Sequence, residues 1–578
     1  MCDSNKSKSS NIKISIRFFL VLLVISLVFF CIFCRLLHLS VLSRSRYMPY
    51  VDRLRSSVKI KQSRRGQILD RNGVVLATTD CIIDIGIDPY VADYEHDFSK
   101  IQQLAALLKM SNDSLKKYFK KYKYLKNQKV TEIRWKKIKT IEDDSLFERI
   151  MALKIKGIYG NKKYKRSYPT DGLASQLIGF INNNGIASCG IEKLMDKYLK
   201  GQDGLIKSEK DGKHQELRQF RKLNINVKNG CDIELSLDLI IQDMVEKELG
   251  NIVNKFHPQW ATIILSDAVT GEIMALGNHP TYNNNRYNKA TIDSLRNRSV
   301  TDIYEPGSVF KIVASSIALE RGLVTPETLF DCSKDYVNSS GMNIKLPKDP
   351  GNFNELSLID VLRKSSNRGM AQIGIMLGKN GLYKAAKAFG FGKITDYGFD
   401  GEVSGILHPP NKWDSLTITR LPMGHALGAT PMQMHQAMGV IASGGFLLKP
   451  LLVKKVVDSL GNDLLEFHPE VKNRVLSDKT TAIMADILRN PNNKDSTING
   501  LGLSYKTGTS QKIVNGKYSS KHHVSSCSGF FPSDAPQILI TVVVDDAIME
   551  SGIAWGYMVA LPSLKSLIDK ISRYIDIQ

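Results

Sequence analysis

The sequence lacks a cysteine framework, and this absence narrows the classes of protein to consider. Three of its eight cysteines, Cys2, Cys31 and Cys34, lie in the N-terminal tail or in the apolar run that follows it. The others are far apart and odd in number, which predicts neither a disulfide framework nor a Cys-x-x-Cys metal pair. We therefore expect no bound metal and no cofactor.

Acidic residues are also scarce, because 57 Asp and Glu stand against 79 Lys and Arg, for a net charge of +22. Such a balance suits an anionic partner such as nucleic acid, a lipid surface or an acidic polymer. However, the lysine-rich stretch 116–126 is interrupted by aromatic and polar residues, and no nucleic-acid motif accompanies it. We therefore favour a solvated lysine-rich face and expect no nucleic-acid partner.

An uncharged run of 17 residues, Phe18 to Cys34, lies between Arg17 and Arg35. This length is close to the shortest helix that can span a hydrocarbon core. The residues after the run contain no small-x-small cleavage site, which predicts an uncleaved single-pass anchor at 18–34 behind a tail at 1–17. Lysines in the tail favour a cytoplasmic N-terminus, although arginines beyond the run make the asymmetry slight.

The length of 578 residues predicts at least two folded units. Residues 35–232 mix short apolar runs with charged loops and contain no evident pairing of nucleophile and base. Residues 233–578 contain longer, cleaner elements, with strands predicted at 260–267, 272–280, 504–512, 523–532 and 538–546, and helices at 237–256, 306–322 and 555–576. Two strands before the central helix and three after it predict an α+β domain with one antiparallel sheet and helices on both faces.

Three short motifs occur in order in this second region: Ser308-Val309-Phe310-Lys311, Ser365-Ser366-Asn367 and Lys506-Thr507-Gly508-Thr509. Each is weak alone, because Ser-x-x-Lys recurs at Ser10/Lys13, Ser56/Lys59 and Ser114/Lys117. Together and in this order, they are the set found in β-lactamases and penicillin-binding proteins.

The predicted helix that contains Ser308 and Lys311 indicates how the first motif could act in catalysis. On a helix, residues at i and i+3 share a face, so the amine of Lys311 can reach the hydroxyl of Ser308. A serine needs such a base to become nucleophilic, and burial beside other cations makes the neutral amine available. The sequence thus predicts Ser308 as nucleophile and Lys311 as base, with helix N–H groups facing the developing negative charge.

The other two motifs predict proton relay and substrate binding. Ser365 and Asn367 cannot face the same way on a helix, which predicts a loop where Ser365 relays a proton to the leaving group and Asn367 binds the substrate amide. The strand containing Lys506, Thr507, Gly508 and Thr509 offers an edge for a peptide substrate. Lys506 and the two threonine hydroxyls are expected to hold a terminal carboxylate, and the N–H groups of Thr509 and Ser308 to form an oxyanion hole.

Beyond these motifs, the chain resembles class B penicillin-binding proteins over nearly its whole length after the apolar run. Segments that look like the family's pedestal motifs are 63–73, 166–169 and 190–193, and segments that match its transpeptidase domain are 267–276, 428–445 and 528–532. The run Arg296-Asn297-Arg298, followed by Thr301-Asp302 and Glu305-Pro306-Gly307-Ser308, is most similar to the division-specific members, the FtsI type. Two segments depart from the pattern: Val309 replaces the usual Thr, and Gly424-His425-Ala426 replaces Gly-aromatic-Gly.

This resemblance implies a non-catalytic pedestal at 35–232 and a periplasmic D,D-transpeptidase domain at 233–578, held by the single span in the inner membrane. It implies stem peptides ending in D-Ala-D-Ala as substrates, and β-lactams as covalent inhibitors. It further implies a glycan-polymerising glycosyltransferase and other division proteins as partners, since residues 35–230 contain no evident glycan-polymerising motif. The departures at Val309 and His425 can change the substrate pocket and antibiotic affinity.

Alternative functions remain open from the sequence. The nearest is the elongation-specific transpeptidase of the same class, whose depletion gives round cells rather than filaments. A carboxypeptidase or β-lactamase is disfavoured because a large pedestal has no evident hydrolytic use. A penicillin sensor lacks room for a transducing domain before the span, whereas a catalytically silent division scaffold stays possible.

Overall fold

The computed structural model describes residues 5–124, 130–132, 135–211, 216–339, 342–489, 497–550 and 552–577. The first four residues of the predicted tail, and Lys126 of the lysine-rich stretch, lie outside the described residues. The chain divides into two compact units. Unit 1 contains residues 1–63 and 202–228, and unit 2 contains residues 64–201 and 229–578.

The first 235 residues alternate short helices and strands. The helices are α1 (Asn5–Leu37), α2 (Arg44–Arg55), α3 (Phe98–Leu108), α4 (Asn112–Lys116), α5 (Asp144–Ala152), α6 (Ser175–Ile178), α7 (Gly190–Leu194) and α8 (Asp196–Leu199). The strands are β1 (Ser56–Lys61), β2 (Ile68–Leu69), β3 (Val75–Ile87), β4 (Tyr122–Tyr124), β5 (Val130–Glu132), β6 (Lys136–Ile141), β7 (Ile158–Ser167), β8 (Gly204–Lys210), β9 (Glu216–Leu217), β10 (Leu223–Ile225) and β11 (Asp232–Leu235).

The apolar run predicted as a helix is confirmed as part of α1. A 27-residue segment, Ile16–Leu42, has a mean hydropathy of 2.9, is long and apolar enough to cross a membrane, and is not buried against the rest of the protein. The helix starts well before Phe18 because no glycine or proline interrupts residues 5–17. Unit 1 also contains a small antiparallel sheet, in which β8 pairs with β1, β9 and β10.

In unit 2, the three pedestal-like segments of the sequence meet at one buried carboxylate. Glu192 is fully buried and lies 2.8 Å from Arg65 Nε and 2.6 Å from Arg166 Nε. The hydroxyl of Tyr168 donates to the same carboxylate at 3.2 Å. Two guanidinium groups thus offset the desolvation cost of burying this carboxylate. A single cation at the surface would offset it only weakly.

The sheet beside this cluster has seven strands in the order β20-β19-β11-β2-β3-β6, with β7 also paired to β3. Strand β11 runs parallel to β2 and antiparallel to β19, which comes from much later in the chain. The boundary predicted between residues 232 and 233 therefore lies within β11, just after its first residue. This strand belongs to a continuous hydrogen-bonded sheet.

The second half of the chain contains the longer elements. Its helices are α9 (Leu239–Phe256), α10 (Arg298–Thr301), α11 (Lys311–Glu320), α12 (Leu358–Arg363), α13 (Asn367–Ala388), α14 (Thr417–Arg420), α15 (Pro431–Ala442), α16 (Asp478–Arg489) and α17 (Gly556–Tyr574). Its strands are β12 (Trp260–Asp267), β13 (Ile273–His279), β14 (Leu329–Asp331), β15 (Tyr336–Ser339), β16 (Met342–Lys345), β17 (Glu355–Ser357), β18 (Phe446–Leu448), β19 (Val453–Val457), β20 (Asp463–Glu466), β21 (Val471–Arg474), β22 (Thr497–Ile498), β23 (Leu501–Gly502), β24 (Ser504–Val514), β25 (Lys517–Phe531) and β26 (Ile538–Asp545).

The predicted five-stranded antiparallel sheet is confirmed, with the order β13-β12-β26-β25-β24. Every residue of β26 is buried, because helices cover both faces of this central strand. Apolar residues of α9 and α17 form a core on one face, and those of α11, α13 and α15 form a second core on the other. Strand β24, which contains the Lys-Thr-Gly motif, lies at the edge of the sheet, where a substrate strand can pair with it.

Candidate active site

Ser308 lies in a 3₁₀ turn, Gly307–Phe310, which continues directly into α11. The predicted helix from Pro306 to Gly322 is confirmed in its position, with a tighter first turn. The Ser308 side chain is partly exposed, whereas Val309 and Phe310 are buried. Within the described part of the chain, the Ser308 hydroxyl makes no hydrogen bond and is open to a substrate, and contacts between nucleophile and base commonly tighten only when substrate binds.

The amine of Lys311 connects the first motif to the second. Its Nζ donates to the carbonyl oxygen of Ser365 at 2.6 Å, to the Ser365 hydroxyl at 3.1 Å and to Oδ1 of Asn367 at 2.8 Å. Lys311 is completely buried. Among the described residues, this amine makes no hydrogen bond to Ser308 and donates instead to Ser365 and Asn367.

Burial also sets the protonation state of this amine. Loss of solvation lowers the pKa of Lys311 well below its usual range, and the positive charge of Lys506 lowers it further, while Asp349 acts in the opposite direction. This lowering favours the neutral amine, which is the form that a general base requires.

The second motif has an uncommon backbone conformation. Ser365 has a positive φ of 57°, Ser366 caps the N-terminus of α13, and Asn367 is the first residue of that helix. The turn at Ser365 is what brings its side chain and that of Asn367 to the same amine, so the prediction of a loop holds for Ser365 only.

A carboxylate that the sequence motifs do not include holds this turn. Asp349 accepts hydrogen bonds from the Ser366 hydroxyl at 2.8 Å, from the backbone N–H of Arg368 at 2.9 Å, and from that of Asn367. These N–H groups belong to the first turn of α13, where a negative charge is favourable. Asp349 comes from the loop after β16, and no local pattern in the sequence marks it.

The third motif enters the site along β24. Lys506 Nζ donates to the Ser365 hydroxyl at 3.2 Å and to the carbonyl oxygen of Thr507 at 3.1 Å. Burial lowers the pKa of Lys506 to about 8. The Ser365 oxygen thus accepts from two amines, which uses both of its lone pairs and leaves its own proton free to be donated.

Gly508 lets this strand approach the nucleophile. A Cβ atom at Gly508 would lie 2.8 Å from Cγ2 of Val309 and 2.9 Å from the carbonyl oxygen of Pro306. Both distances are too short for carbon, so any other residue would push β24 away from the turn that contains Ser308. Val309, where the family usually has threonine, is buried against this strand and keeps the same branched shape.

Thr509 is held by the C-terminal helix. Its Oγ1 accepts a hydrogen bond from the backbone N–H of Gly556, the first residue of α17, at 2.8 Å. A hydroxyl that accepts in this way still has a proton to give to a substrate carboxylate. Side chains alternate along β24, so Thr507 and Thr509 lie on the opposite face from Lys506 and Gly508.

A cavity of about 680 Å³ lies next to the far end of this motif. Ser510 and Gln511 of β24 line it, together with Glu305 and two indoles, Trp260 and Trp413. The hydrogen bonds from Lys311 and Lys506 to Ser365 bring the three motifs together in one groove along β24. The cavity lies beyond Thr509 and leaves room for more of a substrate.

Comparison with known families identifies two regions of the chain. Residues 261–564 match the penicillin binding protein transpeptidase domain, and residues 60–235 match the penicillin-binding protein dimerisation domain. The first match contains the groove just described, and the second contains the Glu192 cluster.

Relatives and solved structures agree with these matches. The peptidoglycan D,D-transpeptidase FtsI of Buchnera aphidicola (Baizongia pistaciae) is 31% identical, covering 99% of this chain and 97% of the relative. FtsI of Escherichia coli is 27% identical over 90% of this chain and 86% of its own length, and stage V sporulation protein D of Bacillus subtilis is 29% identical over 94% and 84%. Among structures, a peptidoglycan synthetase of Bifidobacterium adolescentis has a TM-score of 0.71 at 23% identity, covering 90% of this chain and 97% of that structure.

The fold and the groove are those of a serine-type penicillin-binding transpeptidase. The chain belongs to the penicillin-binding protein family and, having the dimerisation domain as well, to its class B, of the FtsI type.

Proposed function

We propose that this protein is a serine D,D-transpeptidase that cross-links peptidoglycan stem peptides ending in D-Ala-D-Ala during septal wall synthesis, with Ser308 as its nucleophile. The observation that carries the proposal is the meeting of the Ser308 turn, the buried amines of Lys311 and Lys506, and the hydroxyl of Ser365 in one groove. The FtsI relatives, which align over nearly the whole chain, support the division role over the elongation role.

The first half of the reaction forms an acyl-enzyme. The neutral amine of Lys311 takes the proton of Ser308, and the hydroxyl oxygen attacks the carbonyl carbon of the penultimate D-Ala. The C–N bond to the terminal D-Ala breaks, and Ser365 gives its proton to the departing amine. Because two amines donate to the Ser365 oxygen, the lost proton can be replaced at once.

Substrate binding is assigned to the other motif residues. The hydroxyls of Thr507 and Thr509 hold the terminal carboxylate, Lys506 on the other face of β24 attracts it through its positive charge, and Asn367 binds the amide of the retained chain. The backbone N–H groups of Ser308 and Thr509 stabilise the oxyanion, and one such donor contributes about 3 to 4 kcal/mol to lowering the barrier. Gly508 keeps these two N–H groups close by letting β24 touch the nucleophile turn.

In the second half, an amine of a neighbouring stem peptide attacks the acyl-enzyme and completes the cross-link. A β-lactam follows the first half and then stalls, because its ring-opened part stays attached and blocks the incoming amine. A solved neighbour, penicillin-binding protein 3 of Mycobacterium tuberculosis, has a TM-score of 0.67 and was determined with ampicillin.

We also propose the arrangement of the domains and partners. Residues 1–17 form a cytoplasmic tail, 18–34 an inner-membrane anchor, 35–232 a non-catalytic pedestal and 233–578 the periplasmic transpeptidase domain. The exposed apolar helix at Ile16–Leu42 supports the anchor. A membrane glycosyltransferase and other division proteins are the expected partners, because cross-linking needs glycan strands that another enzyme has polymerised.

The proposal is tested by locating the adduct of a β-lactam. We expect mass spectrometry of penicillin-treated protein to find one adduct, on the peptide that contains Ser308, and to find it stable for many minutes. An adduct on another residue would contradict the assigned nucleophile. Rapid turnover of the β-lactam would instead favour a hydrolase.

The pH dependence of substrate affinity tests the role of Lys506. Its ammonium form is lost as pH rises through about 8, so affinity for a carboxylate-bearing β-lactam should fall above that pH, by up to about tenfold per unit. The measurement is the dissociation constant of the noncovalent complex between pH 6.5 and 9.5. The Lys506→Arg variant keeps its charge over this range and should lose the decline; a decline that persists in the variant would exclude Lys506 as its cause.

A further inference from the structure

Three segments around the nucleophile are joined at the carboxylate of Glu305. Oε2 of Glu305 accepts from Nδ1 of His425 at 2.7 Å. Oε1 accepts from the backbone N–H of Ala426 at 3.0 Å and from the hydroxyl of Tyr518 at 3.2 Å. The side chain of Glu305 is only 15% exposed and that of His425 19%, so little water competes for the bond between these two, whereas Ala426 and Tyr518 are exposed.

We propose that Glu305 is a positioning residue for the nucleophile, acting through His425 and Tyr518. This role rests on the proposed function, because it concerns the turn that contains Ser308. The carboxylate fixes that turn against the loop 424–426 on one side and against the β24–β25 hairpin on the other. It thereby sets the spacing between the two backbone N–H groups, those of Ser308 and Thr509, that receive the oxyanion.

The loop 424–426 contacts the nucleophile turn directly. The N–H of Gly307 donates to the carbonyl oxygen of Gly424 at 3.1 Å. A Cβ atom at Gly424 would overlap the backbone of Gly307, so the two segments are in close contact. Ala426 has a positive φ of 60°, a strained conformation for a residue with a side chain, and its N–H is held by Glu305. Without the carboxylate, we expect the loop to relax and the turn to shift with it.

The β24–β25 hairpin is the other segment that binds the carboxylate of Glu305. Tyr518 lies on β25 opposite Ile513, at the end of β24 beyond Thr509. Its ring packs edge-to-face on the ring of His425, with centroids 5.8 Å apart. Burial together with the neighbouring charge of Glu305 raises the pKa of Tyr518 to about 12, so its hydroxyl remains a donor at physiological pH. The strand that contains the third motif is thus fastened to the nucleophile turn at its distal end as well as at Gly508.

Substitution of His425 can break its hydrogen bond to Glu305 without removing a catalytic group. The His425→Phe variant keeps a ring against Tyr518 but has no N–H for Glu305. The His425→Asn variant lacks the ring, yet its amide nitrogen can occupy nearly the position of Nδ1 and donate the same bond. The two variants therefore separate the hydrogen bond from the packing.

The test measures acylation by a fluorescent penicillin, separating the noncovalent dissociation constant from the acylation rate constant. We expect His425→Phe to lower the rate constant about tenfold and Glu305→Ala about a hundredfold, with dissociation constants within about threefold of the starting protein, because small displacements of reacting groups have effects of this size. We expect His425→Asn to remain within about threefold in both constants.

A matched control is Glu320→Ala at the other end of α11. Glu320 also ties that helix to another segment, accepting from the backbone N–H and the hydroxyl of Ser477 at 3.0 and 2.8 Å. Its loss should leave the acylation rate constant unchanged, even where thermal stability falls.

Each outcome of this test bears on the positioning role. Unchanged acylation in both Glu305→Ala and His425→Phe would overturn it, and so would a His425→Asn variant as slow as His425→Phe. If Glu305→Ala fails to fold, the comparison of the two His425 variants decides. Absence of acylation in the unmodified protein would instead contradict the proposed function.

Discussion

The Ser308→Ala variant is expected to lose covalent labelling by fluorescent penicillin, by on the order of a thousandfold or more. The reason is chemical, since alanine has no oxygen to form the acyl bond and no nearby hydroxyl can take its place. The hydroxyl of Ser365 belongs to the same site, but its oxygen already accepts from the amines of Lys311 and Lys506. The measurement is in-gel fluorescence over a range of penicillin concentrations.

The matched control is Ser316→Ala in α11, the helix that follows the Ser308 turn. Within the described residues, the Ser316 hydroxyl is buried and has no hydrogen-bond partner, so its removal should leave labelling and folding nearly unchanged. Persistent labelling of a folded Ser308→Ala protein would exclude Ser308 as nucleophile.

The Ser308→Ala variant also tests whether cells need the catalytic activity of this protein or only a scaffold role. In a strain depleted of the unmodified protein, we expect Ser308→Ala to leave cells as filaments, whereas Ser316→Ala restores division. Rescue by the inactive protein would mean that the scaffold role is sufficient, and round cells on depletion would indicate elongation instead.

Replacement of Lys311 by methionine should lower the acylation rate by on the order of 10² to 10⁴, the usual contribution of a general base. Methionine fills a similar volume but cannot take the Ser308 proton. It also removes the Lys311 donor from the Ser365 carbonyl and the Asn367 amide oxygen, and it leaves the Ser365 hydroxyl with Lys506 as its donor. Stopped-flow acylation measures this loss. The control is Lys364→Met, which removes a half-exposed cation next to Ser365 in sequence and should acylate normally.

The lowered pKa of Lys311 also predicts that the difference in stability between the Lys311→Met variant and the unmodified protein depends on pH. Its pKa is lowered on folding, so the unfolded chain binds this proton more readily than the native protein does. The resulting penalty to the native state is largest at low pH and disappears as pH rises toward the ordinary lysine value. The free energy of unfolding of Lys311→Met relative to the unmodified protein should therefore decrease as pH rises, as measured by denaturant titrations. A difference that does not change with pH would contradict the burial-induced shift.

The elements of the transpeptidase domain were predictable because their sequence signals are local. Strand β12, Trp260–Asp267, begins and ends where its apolar run does, and α9 ends at Phe256 as its periodicity indicated. Two strands before the nucleophile helix and three after it also predicted one five-stranded antiparallel sheet, whereas the order of the strands in it was not predicted. Identification of the three motifs depended on the resemblance, since each motif alone is weak and Ser-x-x-Lys recurs elsewhere in the chain.

What the sequence did not contain is how distant segments constrain one another. The turn at Ser365 has its positive φ because Asp349, from a separate loop, holds the start of α13. Likewise, Glu305 was visible only as part of a resemblance, while its bonds to His425 and Tyr518 join residues far apart in the chain. Such long-range contacts depend on tertiary geometry and leave no local periodicity.

The bond from Gly556 to Thr509 has a consequence for the order in which the molecule is made. In the proposed orientation, the tail at 1–17 stays in the cytoplasm and the chain is exported from the anchor onward. Helix α17 is then expected to cross after every other described helix, and Thr509 lacks this bond until then. We therefore expect a partly exported molecule to react poorly with a penicillin, and its reactivity to appear only when translocation ends.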